Sequence, residues 1–116
     1  YAATMQAMYD ARRSHFQMLV DSGVLLLMGT DSGGYQAHGT IVGELDLWLQ
    51  WGAPAQFTID AATWVSQRYL GYPGLVEGGP ADFLILDEDP RDDPTILAKP
   101  ASVTVGGASV WERPSA

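Results

Sequence analysis

Five apolar residues in a row, Val-Leu-Leu-Leu-Met at positions 24–28, lead directly into Gly-Thr-Asp-Ser-Gly-Gly at 29–34. A short run that is apolar at every position and follows a helical pattern is typical of a strand buried on both faces of a parallel sheet. Such a strand needs hydrogen-bonded neighbours on both sides. The first 70 residues contain no second run of this kind. We therefore expect the tail of a larger α/β protein, with Tyr1 as an artificial or processed start. The alternative is a compact α+β domain in which the run pairs with C-terminal strands.

Helical patterns fill most of the first part of the chain, which is predicted to run over residues 1–70. Apolar side chains recur at helical spacing over residues 3–22 and 42–51. A third helix is predicted over residues 59–70, with Thr58 as its N-cap because a threonine side chain can accept a hydrogen bond from the first turn.

Turns and strands characterise residues 71–116, the second predicted part. Residues 83–86 are a strand candidate, and residues 103–105 and 108–111 are predicted to form a hairpin around a Gly-Gly pair. The acidic, proline-containing stretch that follows the first of these strands is predicted to be a solvated turn.

The charge balance excludes several classes of partner. The 116-residue chain carries 14 acidic and 6 basic residues, a net charge of −8, which repels phosphate backbones and excludes nucleic acid as an expected partner. There is no Lys/Arg run for an anionic membrane surface, and no apolar run approaches the roughly 20 residues of a membrane span. The absence of cysteine excludes disulfides and thiolate metal sites. It leaves the compartment open, with the cytoplasm favoured.

Asp31, in the glycine-rich loop after the apolar run, is the candidate functional residue. The stretch Asp31-Ser32-Gly33-Gly34 resembles the sequence around the nucleophilic serine of a trypsin-like protease. Such a serine needs a general base and an orienting acid, and His15 lies within a helical pattern. An aspartic protease needs two such carboxylates, and one copy is present. In parallel α/β folds, functional groups gather at the C-terminal ends of strands, where a carboxylate can bind a divalent metal or accept a proton from metal-bound water. A role for Asp31 as a simple turn residue stays open.

An ordered series of short motifs runs along nearly the whole chain. It contains Gly29-Thr30-Asp31-Ser32, His38-Gly39 followed by Glu44-Leu45, Gly52-Ala53-Pro54, Gly79-Pro80-Ala81-Asp82-Phe83 and Val105-Gly106-Gly107-Ala108. The series resembles the C-terminal portion of the amidohydrolase superfamily, in its imidazolonepropionase-like and dipeptidase-like branch. The order of the motifs is far more specific than any one of them.

The resemblance implies a fold and a role for each part of the chain. The family fold is a metal-dependent (β/α)8 TIM barrel joined to a small composite β-sandwich built from both chain ends. Residues 24–28 would be the eighth barrel strand, and the chain from Gly71 onward would return to the sandwich. Asp31 would be the metal-binding aspartate after that strand, which also accepts a proton from the hydrolytic water. His38 would contact substrate, and Tyr35 is a further substrate-binding candidate at the mouth of the pocket.

The resemblance also implies chemistry that this chain does not complete. The parent protein would be a metal-dependent hydrolase that cleaves amide, cyclic amide or peptide-like C–N bonds, other than standard peptide bonds, through metal-activated water. The divalent metal, expected to be zinc with one or two ions, would also be bound by a His-x-His pair and two later histidines, whereas His15 and His38 are the only histidines here.

The expected partners are a small-molecule or short-peptide substrate and the rest of the barrel, with homo-oligomer formation left open. We expect the isolated chain neither to hold the metal tightly nor to catalyse, because Asp31 alone supplies one ligand where a catalytic zinc usually has about three from protein. The alternative is a non-catalytic module that binds a partner through its exposed barrel-facing surface.

Overall fold

Four helices precede a small antiparallel sheet in the computed structural model, which describes residues 1–115. The elements are α1 (Ala2–Asp21), α2 (Ile41–Gln50), α3 (Ala55–Ala62), α4 (Trp64–Tyr69), β1 (Phe83–Ile85), β2 (Ser102–Val105) and β3 (Ala108–Glu112), with a 3-10 helix (Pro94–Ala98) between β1 and β2. This architecture confirms the coarse fold class, a mixture of α and β structure. The division into residues 1–70 and 71–116 stays a prediction, and Ala116 lies outside the described residues.

The core lies where α1, α2 and α3 meet. Phe16 of α1, Trp48 of α2 and Ala61 of α3 are buried, together with Ala53 in the link between α2 and α3. The ring centroids of Phe16 and Trp48 lie 5.0 Å apart, and the indole stacks on Phe57 at 6.1 Å. Aromatic pairs at these separations stabilise a core beyond the area that they bury. The predicted helices over residues 3–22 and 42–51 are confirmed as α1 and α2.

Helix α1 buries little of its apolar face. Phe16 is buried, whereas Met5 and Met8 are 49% and 59% exposed. The helix ends before Gly23, whose φ of 71° is a left-handed conformation that glycine adopts at little cost. Most apolar side chains of α1 are therefore uncovered in the described chain. No helix in residues 1–115, α1 included, combines the length and the apolar character needed to cross a bilayer.

The prediction of a single helix over residues 59–70 with Thr58 as its N-cap is wrong. The chain forms α3 and α4, which are separated at Thr63, where φ of −127° and ψ of −92° leave the helical region. Helix α3 begins earlier than expected because Pro54, which cannot sit in a helix interior, holds an extended conformation directly before Ala55. Thr58 lies inside α3 and is fully buried, and its hydroxyl donates to the Pro54 carbonyl at 3.0 Å. That bond satisfies the hydroxyl within the helix.

Residues 24–28 form no regular secondary structure, so they do not form the predicted strand. Within the described residues the segment has no hydrogen-bonded neighbour strand, and it does not pair with the C-terminal sheet either. Met28 N–H reaches the Ala61 carbonyl at 3.4 Å, and Leu26 packs against the core, whereas Leu25 is 58% exposed. A strand exists only through its hydrogen-bonded ladder. The described chain supplies no neighbour for this segment, so the apolar run stays unpaired.

The C-terminal sheet has the strand order β1-β2-β3 and is antiparallel throughout. Strand β1 confirms the prediction for residues 83–86. The turn between β2 and β3 contains Gly106 and Gly107, with φ of 56° and 80°, which matches the backbone that a two-residue hairpin turn requires. The predicted hairpin is therefore confirmed. The Asp82 carboxylate accepts a hydrogen bond from Gly106 N–H at 2.6 Å, which joins this turn to the start of β1.

The chain is less compact than a closed domain of its length. Its radius of gyration is 16.5 Å, whereas about 13 Å is typical of a compact 100-residue domain. Large apolar side chains remain exposed on α1, on residues 24–28 and on the sheet, where Leu84 and Trp111 are 43% and 44% exposed. These surfaces have no cover within the described residues.

Candidate functional site

Residues 29–40 form the loop that joins the apolar segment of residues 24–28 to α2. The three candidate residues Asp31, Tyr35 and His38 all lie in this loop, and all three are exposed. The loop contains no regular helix or ladder, so its shape depends on hydrogen bonds and packing within it. One short stretch therefore carries every side chain for which the sequence predicts chemistry.

Asp31 has an uncommon backbone conformation. Its φ of 52° is the single positive value at a non-glycine residue among residues 1–115. Aspartate tolerates this left-handed region better than most residues because its short side chain can bond locally, yet the conformation still costs about 1 kcal/mol or more. Such conformations cluster at functional sites, where surrounding contacts hold them in place. Because aspartate also adopts this conformation in ordinary turns, both a functional role and a turn role fit the backbone of Asp31, and its role stays a prediction.

Hydroxyl groups on both sides of Asp31 hold its loop. The hydroxyls of Thr30 and Ser32 are hydrogen-bonded to each other, and Ser32 Oγ donates to the Ala37 carbonyl at 3.1 Å. A backbone bridge between Ser32 and Gln36 closes the turn. Asp31 thus lies between two residues that are themselves tied, which is how a strained backbone can persist.

Gly33 allows His38 to lie close to the start of the loop. A Cβ built on Gly33 would be 3.7 Å from His38 Cε1 and 3.9 Å from Nε2, so the imidazole lies directly against this glycine. The φ of Gly33 is 105°, which residues with a side chain rarely adopt. His38 is therefore in contact with the residue two positions after Asp31. Tyr35, between them in sequence, is fully exposed at the tip of the loop.

The described residues do not by themselves form a metal centre. Within residues 1–115, no three histidine, cysteine, aspartate or glutamate side chains lie close enough together to hold an ion. A catalytic zinc usually has about three protein ligands, so Asp31 could supply one of them. A complete site would have to draw its other ligands from residues outside this chain.

Glu44 is hydrogen-bonded to a core residue of its own helix, a contact that the sequence patterns did not indicate. It lies in the first turn of α2, where its negative charge interacts favourably with the positive end of the helix dipole. Its carboxylate accepts a hydrogen bond from Trp48 Nε1 at 2.8 Å, which satisfies the donor of a buried indole. The signal that could have found this contact is the i, i+4 spacing of the two residues on one helix face.

The acidic turn after β1 contains an ion pair of its own. Arg91 Nε donates to both carboxylate oxygens of Asp89, at 2.9 Å and 3.0 Å, and these hydrogen bonds lower the pKa of Asp89 to about 2. Asp89 also accepts the backbone N–H of Arg91 at 2.9 Å, which closes the turn. The stretch is an exposed, hydrogen-bonded turn, which confirms the prediction made for it.

Most of this chain is similar to part of larger proteins. Uncharacterised proteins from Mycobacterium bovis and from two strains of Mycobacterium tuberculosis are 35% identical to it over 107 residues. The aligned region is 92% of this chain and 29% of each relative, so the chain spans less than a third of the length of these curated relatives. No family model matches the sequence.

One solved structure is similar in fold to most of this chain. The crystal structure of a Xaa-Pro dipeptidase, with methionine bound in its active site, matches 87% of this chain with a TM-score of 0.74 and 27% sequence identity. The match spans 25% of that protein's chain. The chain described here therefore has a mixed α/β, hydrolase-like fold that is similar to part of a dipeptidase.

Proposed function

We propose that this chain forms the C-terminal part of a metal-dependent hydrolase that cleaves amide, cyclic amide or peptide-like C–N bonds. The observation that carries the proposal is the left-handed conformation of Asp31, which lies just beyond an apolar segment that has no partner strand in the described chain. Similarity to a Xaa-Pro dipeptidase over 87% of the chain supports it. The strained aspartate and the unpaired apolar segment are both expected if this chain forms one side of an active site and residues outside this chain form the rest.

Residues 24–28 are proposed as the last strand of a (β/α)8 barrel. Leu25 and Leu27 are 58% and 36% exposed, and an unpaired apolar strand of this kind is stable only between neighbouring strands. A barrel of this type needs about 250 residues. The curated relatives, of which this chain spans 29%, are long enough to provide one. The exposed sheet of β1, β2 and β3 is proposed as part of the accompanying β-sandwich.

Asp31 is proposed as a metal ligand and a proton acceptor. Its carboxylate is exposed in the loop that follows the proposed strand, where barrel enzymes place their functional groups. A divalent ion, for which zinc is the first candidate, would supply an activated water when bound. The part played by Asp31 is to occupy one position around that ion and to accept a proton from the attacking water.

His38 and Tyr35 are proposed to contact the substrate. The imidazole of His38 lies against Gly33, which puts it on the same short turn as Asp31. An imidazole can donate to, or accept from, the polar groups of a short peptide or amide. The fully exposed Tyr35 could cover a substrate bound in front of this turn. Because the similar solved protein is a Xaa-Pro dipeptidase, short peptides and related amides are the first substrates to test.

A second candidate function is a non-catalytic module that binds a partner protein. The exposed apolar side chains of Met5, Met8 and Tyr9 on α1 favour it, because contiguous apolar surface marks interaction sites. The same surface also suits packing of α1 against a barrel. Hydrolysis is therefore the property that separates the two candidates.

Activity of the intact protein that carries this segment tests the proposal. We expect it to hydrolyse at least one member of a panel of dipeptides with C-terminal proline, linear amides and cyclic amides, with products followed by chromatography. We expect dialysis against a chelator to remove this activity and added zinc to restore it, because the attacking water depends on the ion. A metal-loaded protein that hydrolyses nothing in the panel would contradict the proposal and favour the second candidate.

A further inference from the structure

A cleft beside α4 carries an arginine that has no role in the candidate loop. The cleft has a volume of about 300 Å³, and it lies between α4 and the turn that follows it. Its lining residues are Trp64, Arg68, Pro73, Gly74, Leu75 and Val76. The lining thus combines one aromatic side chain, an apolar wall and a single cation. We propose that this cleft binds a small organic carboxylate with an apolar or aromatic body.

Arg68 supplies the charged end of this site. Within residues 1–115 no hydrogen bond or ion pair engages its guanidinium, whereas Arg91 and Arg113 are each paired with an aspartate. A guanidinium presents a planar fork of donors that fits a carboxylate through two parallel hydrogen bonds. In a chain with a net charge of −8, an anion needs such a local cation to bind. The guanidinium of Arg68, which is exposed and has no partner within residues 1–115, therefore favours a carboxylate over an uncharged ligand.

Trp64 supplies the surface for the apolar body of the ligand. Its side chain is 45% exposed, and Leu75 and Val76 of the same lining are 55% and 52% exposed. Gly74 lies against the indole without covering it with a side chain, since a Cβ there would be 3.5 Å from Trp64 Cε3 and Cζ3. An open aromatic surface beside apolar side chains favours an aromatic or branched aliphatic group.

Backbone hydrogen bonds hold the wall of the cleft. Tyr72 N–H donates to the Gln67 carbonyl at 2.9 Å, and Gly79 N–H donates to the Val76 carbonyl at 3.0 Å. A Cβ on Gly79 would lie 2.9 Å from Val76 Cγ2, so the turn closes tightly on itself. A preformed site loses less conformational entropy when it binds a ligand.

The volume of the cleft limits the size of the ligand that it can hold. Its volume of about 300 Å³ is at the lower end of the range for small-molecule sites. A carboxylate with one ring or one branched chain fits this volume. None of the lining residues belongs to the loop of residues 29–40, so ligand binding in this cleft and hydrolysis at that loop can be measured separately.

Calorimetric titration of the intact protein with 3-phenylpropionate tests the proposal, with 3-phenylpropionamide as the matched uncharged probe. We expect saturable binding of the acid with a Kd on the order of 1 mM, as suits a ligand of this size in an open cleft. We expect the amide to bind about tenfold more weakly or worse, because it cannot form the charged pair with Arg68. Absence of saturable binding by the acid, or equal binding of the two probes, would overturn the proposal.

Two variants locate the binding in this cleft. Arg68→Gln should weaken binding of the acid about tenfold, whereas Arg13→Gln, at an exposed arginine of α1, should leave it unchanged. Leu75→Glu places a carboxylate in the lining and should abolish binding by repulsion while circular dichroism stays native. Unchanged affinity in folded Leu75→Glu protein would put the binding elsewhere and reject the assignment, even if Arg68→Gln fails to fold.

Discussion

Replacing Asp31 with asparagine in the intact protein is expected to lower kcat/KM for hydrolysis by about 10³-fold. Asparagine keeps the size of the side chain and also tolerates the left-handed conformation that Asp31 adopts at φ 52°, so the loop should keep its shape. The amide cannot accept a proton as a carboxylate does, and it is a poorer ligand for a divalent ion. Loss of a general base alone costs about 10²- to 10⁴-fold in rate. Steady-state kinetics on the best substrate of the panel measures the effect.

The matched control for this change is Asp92→Asn. Asp92 is an exposed aspartate in the acidic turn after β1, so its replacement removes the same charge without touching the candidate loop. We expect the control to retain kcat/KM within about twofold, since most surface substitutions change stability by no more than about 0.5 kcal/mol. Retention of full activity by folded Asp31→Asn protein would show that the carboxylate of Asp31 takes no part in hydrolysis.

Replacing Trp48 with alanine is expected to lower the free energy of unfolding by about 3–5 kcal/mol. The indole is buried, packs at 5.0 Å from the ring of Phe16 and stacks on Phe57 at 6.1 Å. The change would leave a cavity at the centre of the helical core. It would also leave Glu44 without the indole N–H that donates to it at 2.8 Å. Since total stability is usually about 5–15 kcal/mol, the loss should be evident as a large fall in the urea midpoint.

Tyr35→Ala is the control for this loss of a large aromatic side chain. Tyr35 is fully exposed, so its removal creates no cavity, and we expect the free energy of unfolding to change by about 0.5 kcal/mol or less. Equal urea midpoints for Trp48→Ala and Tyr35→Ala would mean that the core does not lie between α1, α2 and α3 as described.

The structure matches the sequence patterns where a local rule decides the conformation. The hairpin follows from its Gly-Gly pair, because two consecutive residues with positive φ are what the turn requires. The apolar spacing predicts helices α1 and α2 and indicates which face of each should be buried. It does not indicate whether other parts of the chain cover that face. The exposed Met5 and Met8 of α1 show this difference.

Two structural predictions were wrong, and each has its own physical cause. The apolar pattern of residues 24–28 predicts a strand, but a strand depends on a hydrogen-bonded ladder with another segment, and no segment of the described chain forms such a ladder with this one. Thr58 has the chemistry of an N-cap, yet Pro54 already determines where the helix begins. The hydroxyl of Thr58 then bonds within the helix and is buried.

The candidate site was predictable in part. The position of Asp31 after an apolar run is a sequence signal, and so is the cluster of small residues around it. The left-handed backbone of Asp31 and the packing of His38 on Gly33 are not, because both depend on how the loop closes in three dimensions. The ligands that would complete a metal site also lie beyond any pattern in this chain.

Anomalous diffraction at the zinc absorption edge, from crystals of the intact protein grown with zinc, tests the central claim most directly. We expect an ion with a carboxylate oxygen of Asp31 at about 2.0–2.2 Å, and with its other protein ligands from residues outside this chain. The segment of residues 24–28 should then be paired with a neighbouring strand. A catalytically active protein in which the ion has a complete set of ligands without Asp31 would contradict the account.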